Sequence, residues 1–307
     1  MGKMAQADRP GDANRITREY FDTLLIEMRH IGAAQPSTTL TLYGEQFATP
    51  IMTAALSHLN NCHPDGMVEL ARGAQAANAV MWAGMGDEDE FAAIAATGAR
   101  AIKIIKPYAD DQEIFRKIAH AEASGALAVG MDVDHSFDGR GRPDVVLGRR
   151  MAPKTAEQLR SFVGATKLPF IVKGVMGSRD ALLCAEAGVK GVVVSHHHGI
   201  LDYAMPPLMA LPEVVRAVGG AMPIFIDCGV ESGLDVFKAL ALGATAVSVG
   251  RALMGPLSEG GAAAVRAAID DMTGQLAGAM ARTCSADIGS IDGGVLRRRK
   301  PAFDKFL

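Results

Sequence analysis

Short apolar runs alternate with amphipathic stretches along the chain from residue 50 onward. Each apolar run is five or six residues long, as buried parallel strands are. The runs predict strands at 50–54, 79–83, 101–105, 127–132, 169–173, 191–195, 223–227 and 246–250. Between them, apolar residues recur at helical spacing. These stretches predict helices at 66–77, 111–123, 178–187, 211–218, 233–242 and 259–280.

Three predicted helices are followed by a glycine just before the next strand: Gly188, Gly219 and Gly243. Glycine adopts the left-handed conformation that commonly ends a helix. Eight strand–helix units in one chain predict an α/β fold, a (β/α)8 TIM barrel. A doubly wound sheet is the alternative, but it usually has fewer strands, and no GxGxxG motif follows the first strand here.

The residues before the first predicted strand form an N-terminal extension. Residues 1–14 are polar and predict a loose leader, and the spacing at 16–31 predicts an amphipathic helix. Weak alternation at 38–47 predicts a short hairpin at the barrel floor. Residues 1–307 are thus predicted to form one barrel domain, with a helical extension over about 1–48.

Composition narrows the function classes. Hydrophobic residues make up 49% of the 307 residues, and aromatic residues only 5%, which favours an aliphatic α/β core. The net charge of −3 gives no large basic field, so we expect no nucleic-acid partner. The four cysteines form no CxxC pair, and no signal peptide or membrane span is evident, which predicts a cytoplasmic protein.

Charged and histidine side chains end the late predicted strands. Lys173 ends the fifth strand, a Ser-His-His-His-Gly run at 195–199 ends the sixth, and Asp227 ends the seventh. The C-terminal ends of barrel strands share one face, where active sites form. Histidine transfers protons near neutral pH, so the run predicts an enzyme. Gly229 and the Gly250-Arg251 pair predict a phosphate site, which barrels often build after strands seven and eight.

These residues lie in segments with a recognisable pattern. The segments are Lys173-Gly174, Ser195-His-His-His-Gly199, Leu201-Asp202, Asp227-Cys-Gly229, 235–244 and Val249-Gly-Arg251. Together they resemble the FMN-dependent α-hydroxy-acid oxidase and dehydrogenase family, which includes glycolate oxidase and lactate oxidase. The resemblance is close from about residue 168 to 251.

The resemblance implies FMN as cofactor and His197 as the base that takes a proton from the substrate. Lys173 would lie against the N1/C2 carbonyl edge of the flavin, where a cation stabilises the negative charge of reduced FMN. Asp132 is the third candidate catalytic residue, and it is not part of the family pattern. With Asp134 and His135 it could support His197, because carboxylates fix histidine tautomers, and the three equally fit a structural network. The implied cofactor contacts are Ala54, Ala55, Lys173, Ser195, Asp227, Gly229, Gly250 and Arg251.

The chain also departs from the family pattern on the substrate side. The arginine that clamps the substrate carboxylate is absent, with Ile200 at or near its place. Asp132 replaces a threonine near the flavin, and a lysine, Lys103 or Lys106, replaces a glutamine. The candidate substrate residues are therefore Lys103, Lys106, His196, His198 and Arg150. Strand-end spacing alone sets no coordination geometry, so no metal site is predicted.

We therefore expect an FMN-dependent oxidoreductase of the CH–OH class, acting on a 2-hydroxy acid or a related small hydroxyl-bearing molecule. Three alternatives stay open. One is an FMN-dependent isomerase or other non-oxidative flavin enzyme, and another is a non-catalytic flavin- or phosphate-binding barrel. The third is a metabolic phosphate-binding barrel enzyme without flavin. A homo-oligomer is expected by analogy with such barrels.

Overall fold

The computed structural model describes residues 10–299. Its helices are α1 (Ala13–Asp22), α2 (Gly66–Ala76), α3 (Glu88–Ala96), α4 (Asp111–Ala123), α5 (Ala156–Gly164), α6 (Ser178–Glu186), α7 (Pro207–Val218), α8 (Gly233–Ala241) and α9 (Arg251–Ala281). Its strands are β1 (Leu24–Ile26), β2 (Leu40–Leu42), β3 (Glu45–Phe47), β4 (Ile51–Thr53), β5 (Met81–Ala83), β6 (Ala101–Ile105), β7 (Ala128–Asp132), β8 (Val145–Val146), β9 (Arg149–Arg150), β10 (Phe170–Val175), β11 (Gly191–Val194), β12 (Ile224–Ile226), β13 (Ala246–Val249) and β14 (Leu296–Arg298).

Eight parallel strands form the central sheet, in the order β4-β13-β12-β11-β10-β7-β6-β5. The two end strands meet where the Thr53 N–H donates to the Val80 carbonyl at 3.1 Å, which brings the sheet round into a barrel. All eight predicted strands are present. The predicted α/β fold and (β/α)8 barrel are confirmed.

Side chains fill the barrel, and a hairpin covers its floor. Trp82 packs edge-on against Phe225, with ring centroids 5.3 Å apart. The predicted hairpin is present as β2 and β3, and its Leu40, Leu42 and Phe47 pack into the same interior cluster. The hairpin thus covers the barrel floor, and the opposite, C-terminal face is the one where active sites form in this fold.

The predicted helix at 16–31 is wrong in its second half. Helix α1 ends at Asp22, and β1 then pairs antiparallel with β14 from the far end of the chain. A strand partner so distant leaves no local signal, because strand formation depends on tertiary pairing. The predicted loose leader also ends early, since α1 begins at Ala13; residues 1–9 of it lie outside the described residues.

The other predicted helices are present, with two shifted starts. Helix α7 begins at Pro207 rather than 211, and α9 begins at Arg251 rather than 259. Non-helical backbone at Gly260 and Gly261 kinks α9 near the predicted start. The early start matters because it places a helix N-terminus directly after β13. Within residues 10–299, no helix is long and apolar enough to cross a membrane.

Candidate active site

A buried cluster of charges lies at the C-terminal end of the barrel. Lys173 on β10 is 6% exposed, and its Nζ lies 3.2 Å from Asp132 Oδ1 and 3.7 Å from Asp227 Oδ2. The other carboxylate oxygen of Asp132 accepts a 2.7 Å hydrogen bond from Lys106 Nζ. The C-terminal ends of the adjacent strands β6, β7 and β10 therefore bring these charges together on the face where Lys173 and Asp227 are predicted to lie.

Mutual attraction keeps this cluster ionised. Burial alone would raise the pKa of Asp132, but the ammonium groups of Lys173 and Lys106 outweigh it, and the pKa falls well below its ordinary value. Burial alone would lower the pKa of Lys173, but Asp132, Asp227 and Asp134 raise it above its ordinary value. Lys173 is therefore a permanent cation at neutral pH.

His197 is held at the edge of the cluster by Asp134. Its Nδ1 lies 2.9 Å from Asp134 Oδ1 and 3.3 Å from Lys173 Nζ. We assign the proton to Nδ1, because the Asp134 carboxylate can only accept, while Lys173 already faces two other carboxylates. This tautomer leaves the lone pair on Nε2, which suits His197 to take a proton from a bound molecule.

The backbone that presents His197 is a strained turn. His197 and His198 in this turn have φ of 50° and 58°, and Cys228 in the neighbouring loop after β12 has φ of 68°, a region that non-glycine residues rarely adopt. Ser195 Oγ accepts the His197 N–H at 3.1 Å, and Cys228 Sγ accepts the His198 N–H at 3.4 Å. Such clusters of strained residues occur at functional sites. Ser195 therefore positions the base; its predicted flavin contact stays a prediction.

The structure ties the other two histidines of the run to helix α1. His196 Nδ1 accepts the Gly199 N–H at 3.0 Å, so its Nε2–H donates to Thr17 Oγ1 at 2.7 Å. His198 Nδ1 lies 2.6 Å from Asn14 Oδ1. Burial lowers the pKa of both histidines below their ordinary values. Both ring nitrogens of His196 are occupied, so its geometry favours an anchoring role over the predicted substrate contact.

Sequence reasoning gave too little weight to several of these partners. Asp134 was proposed only as one possible support of His197, and Thr17 and Asn14 were not singled out at all. The spacing of Asp132 and Asp134 could have indicated the pair, since alternate residues at a strand end point the same way. A second pair lies above the site: His135 Nδ1 is 2.6 Å from Asp144 Oδ2, and its ring packs edge-on against His197 at 4.7 Å.

The predicted phosphate site lies on the side of β12 and β13. Gly250 precedes Arg251, the first residue of α9, and the partial positive charge of the helix N-terminus adds to the guanidinium. A Cβ on Gly250 would lie 3.3 Å from the Ala54 Cβ, so small side chains keep this approach open. Gly229 has φ of 75°, and its carbonyl accepts from Arg18 at 2.9 Å. These positions suit an anion.

The remaining predicted contacts lie on the β5–β6 side or in the loop after β7. Lys103 donates to the Gly84 carbonyl at 2.7 Å, and burial lowers its pKa to about 8. Ala55 lies beside Gly84: its carbonyl oxygen is 2.5 Å from where a Cβ on Gly84 would stand. Arg150 is exposed on β9 of the 134–150 loop. Its neighbour Arg149 pairs with Glu113.

Three side chains of the site carry atoms of the kind that coordinate metal ions. Atoms of Asp132, Asp134 and His197 lie within 4.8 Å of one another. The ammonium groups of Lys173 and Lys106 already contact Asp132, and they would repel a divalent cation. The charges therefore favour ion pairing within the protein over a metal site.

Comparison with known proteins identifies the family. The chain matches the FMN-dependent dehydrogenase family over residues 4–164 and 145–298. The chain belongs to this family. It is 33% identical to glycolate oxidase 3 of Arabidopsis thaliana over 291 residues, covering 81% of this chain and 78% of that protein. It is 32% identical to glycolate oxidase of Spinacia oleracea over 293 residues, covering 83% and 79%.

Solved structures of the family superpose closely. A mandelate oxidase mutant with (S)-mandelic acid has a TM-score of 0.84 and 27% identity, covering 95% of this chain and 91% of that chain. A second structure of the same mandelate oxidase mutant, with the monooxide FMN adduct, has a TM-score of 0.84 and 28% identity, covering 94% of this chain and 92% of that chain. The expected FMN-dependent oxidoreductase class is thus confirmed.

The residues present fit FMN. Asp132 Oδ1 and Asp134 Oδ2 are buried without a hydrogen-bond partner among residues 10–299. Both oxygens can therefore accept a hydrogen bond from a ligand. A buried cation, Lys173, and an exposed arginine at a helix N-terminus, Arg251, suit the two ends of a flavin mononucleotide. Lys173 and Asp227 would hold its ring and ribityl end, and Gly229, Gly250 and Arg251 its phosphate.

Proposed function

We propose that this chain oxidises the hydroxyl-bearing carbon of a small 2-hydroxy acid, with His197 as the base. The observation that carries the proposal is the His197–Asp134 pair, which lies beside the buried cation Lys173 at the barrel mouth. The named relatives, glycolate oxidase and a mandelate oxidase with bound (S)-mandelic acid, support this substrate class.

The chain supplies proton transfer and charge, and FMN when bound supplies a two-electron acceptor. Nε2 of His197 takes the proton of the substrate hydroxyl, and the carbon gives up its hydrogen with two electrons, so the product is a carbonyl. Asp134 stabilises the imidazolium that forms, since it faces Nδ1 at 2.9 Å. Lys173 would stabilise the negative charge of the reduced cofactor.

Recognition of the substrate carboxylate differs from the family pattern. Ile200 stands at or near the position of the family arginine and is partly exposed. Among residues 10–299, Arg150 makes no ion pair, whereas Lys106 is bound to Asp132 and Lys103 to a carbonyl. We therefore propose Arg150, on the loop that carries Asp134 and His135 above the site, as the first carboxylate contact to test.

The test uses the full chain loaded with FMN. Its absorbance spectrum is recorded anaerobically while 2-hydroxy acids and polyols are added in turn. We expect a 2-hydroxy acid to bleach the flavin, His197→Asn to abolish bleaching without loss of FMN, and His30→Asn, an exposed control, to behave as wild type. Bleaching by polyols alone would overturn the substrate class.

Other outcomes lead to the alternatives. Turnover of a substrate with no net electron acceptor would favour the isomerase. A flavin that binds but reacts with no compound in either form would favour the non-catalytic barrel. Arg150→Ala should raise KM for the hydroxy acid about tenfold or more, because a charged hydrogen bond is lost. Arg149→Ala, next to it, is the matched control.

A cytoplasmic location and a homo-oligomeric state complete the proposal. Free thiols at Cys62, Cys184, Cys228 and Cys284 support a reducing compartment. Light scattering after size-exclusion chromatography of the purified chain tests the oligomer: a monomeric mass would refute it.

A further inference from the structure

We infer that Lys106 and Asp132 form a charge pair that sets how much of the positive charge of Lys173 the bound flavin experiences. The inference deepens the proposed function and rests on its placement of the flavin against Lys173. It assigns both residues as positioning residues that act through Lys173.

The three groups form a buried line of alternating charge. Lys106, Asp132 and Lys173 are 7%, 3% and 6% exposed. Asp132 Oδ2 contacts Lys106 Nζ at 2.7 Å, and Asp132 Oδ1 lies 3.2 Å from Lys173 Nζ. Asp132 and Lys173 lie on β7 and β10, and Lys106 directly follows the end of β6. These three strands are consecutive in the sheet, so backbone pairing fixes the spacing.

Coulomb interactions at these distances are strong. Water does not screen buried charges, so an anion 3.2 Å from Lys173 cancels much of the field that the ammonium exerts nearby. Lys106 offsets this effect. Its ammonium lies 2.7 Å from Asp132 Oδ2 and partly neutralises the carboxylate, so Asp132 reduces the field of Lys173 less than it would alone. The line carries one net positive charge, the same as Lys173 alone.

Two observations favour a tuning role over a purely structural one. Buried ion pairs contribute little net stability compared with apolar residues of similar size, so stability alone gives little reason for the pair. Asp132 Oδ1 also lacks a hydrogen-bond partner among residues 10–299, although it lies near Lys173 and His197. This oxygen therefore faces the site residues Lys173 and His197 rather than a hydrogen-bond donor of the barrel scaffold.

The two residues should have opposite effects on the flavin. Lys106→Met leaves Asp132 acting on Lys173 alone, so the reduced, anionic flavin is stabilised less and its midpoint potential falls. Asp132→Asn removes the opposing anion, and the potential rises. Lys106→Met/Asp132→Asn keeps the net charge of the wild type and should return the potential close to its value.

Each protein is loaded with excess FMN, and two spectroscopic quantities are measured. One is the midpoint potential against reference dyes; the other is the Kd of the flavin for sulfite, which binds where negative charge on the flavin is stabilised. We expect the sulfite Kd to rise about tenfold in Lys106→Met and fall about tenfold in Asp132→Asn. Lys154→Met, which breaks a half-buried ion pair with Asp111 elsewhere, is the control.

The outcomes separate the inference from the function it rests on. If the midpoint potential shifts in the same direction in Lys106→Met and Asp132→Asn, the pair has a structural role and the inference alone is overturned. The same holds if both variants are less stable but keep the wild-type potential. A wild-type chain that takes up no FMN would overturn the proposed function as well. Should Lys106→Met not fold, Lys106→Gln replaces it, because the amide retains a donor for Asp132.

Discussion

Asp134 Oδ1 and His197 Nδ1 lie 2.9 Å apart, although their residues follow strands β7 and β11, which are separated by β10. The contact therefore crosses the C-terminal end of β10, which carries Lys173. A base oriented in this way needs its carboxylate for the correct tautomer and to stabilise its charged form.

Asp134→Asn should lower the rate of substrate-dependent flavin reduction about 100-fold or more, with FMN still bound. The amide is isosteric but carries no charge to stabilise the imidazolium. Stopped-flow absorbance under anaerobic conditions measures the rate. Asp138→Asn, in the same loop, is the control; a rate unchanged in Asp134→Asn would remove Asp134 from the mechanism.

Arg251→Ala should raise the Kd for FMN about 10- to 100-fold, because a charged donor at the N-terminus of α9 is lost. Binding of riboflavin, which lacks the phosphate, should be unaffected. Flavin fluorescence titration of the apoprotein measures both. Arg266→Ala, farther along the same helix, serves as control. Equal weakening of FMN and riboflavin binding would place Arg251 away from the phosphate.

The sequence was sufficient to predict the barrel because each strand carries its own local signal. A buried parallel strand such as β6 is an uninterrupted apolar run, and its predicted bounds are those observed. Strand β1 was missed for the converse reason, since its partner β14 lies some 270 residues away along the chain.

The site was predictable in its parts but not in its pairings. Lys173 and Asp132 could be assigned to one face, because strand ends share it. Nothing in the sequence could show that His196 faces Thr17 while His197 faces Asp134, because the positive φ of His197 and His198, which sets these directions, has no local sequence signal. Rotation by one residue in that turn decides which histidine serves as base.

Gly174→Ala should reduce both stability and activity. Gly174 has φ of 104°, and a Cβ there would lie 2.7 Å from the Asp134 side chain. We expect a loss of about 1–3 kcal/mol in the free energy of unfolding, together with slower flavin reduction, because the carboxylate that holds His197 is displaced. Urea unfolding and stopped-flow absorbance measure the two effects.

Gly164→Ala is the matched control for this substitution, since a Cβ on Gly164 would meet no atom within 4 Å. Alanine is also the better helix former at the end of α5. Gly164→Ala should leave activity unchanged and stability equal or higher. A Gly174→Ala variant that behaved in the same way would show that Asp134 tolerates displacement.

Thr17→Val tests the anchor between α1 and the histidine run. The valine leaves the buried His196 Nε2–H without its acceptor, and we expect a loss of about 1–3 kcal/mol in the free energy of unfolding at pH 7.5. Urea unfolding measures it. An unchanged free energy would mean that the Thr17–His196 contact is not a stabilising hydrogen bond.

The same histidine predicts how stability depends on pH. Burial lowers the pKa of His196, so the unfolded chain binds a proton first as the pH falls. The stability due to the neutral ring is complete above about pH 6.5, the ordinary histidine pKa, and is lost as the pH drops below it. Tm should therefore fall between pH 7.5 and 5.5. His196→Asn should make that fall in Tm smaller, whereas the exposed His30→Asn should leave it unchanged. If Tm falls equally with pH in the wild type and in both variants, His196 is protonated as readily in the folded state as in the unfolded chain.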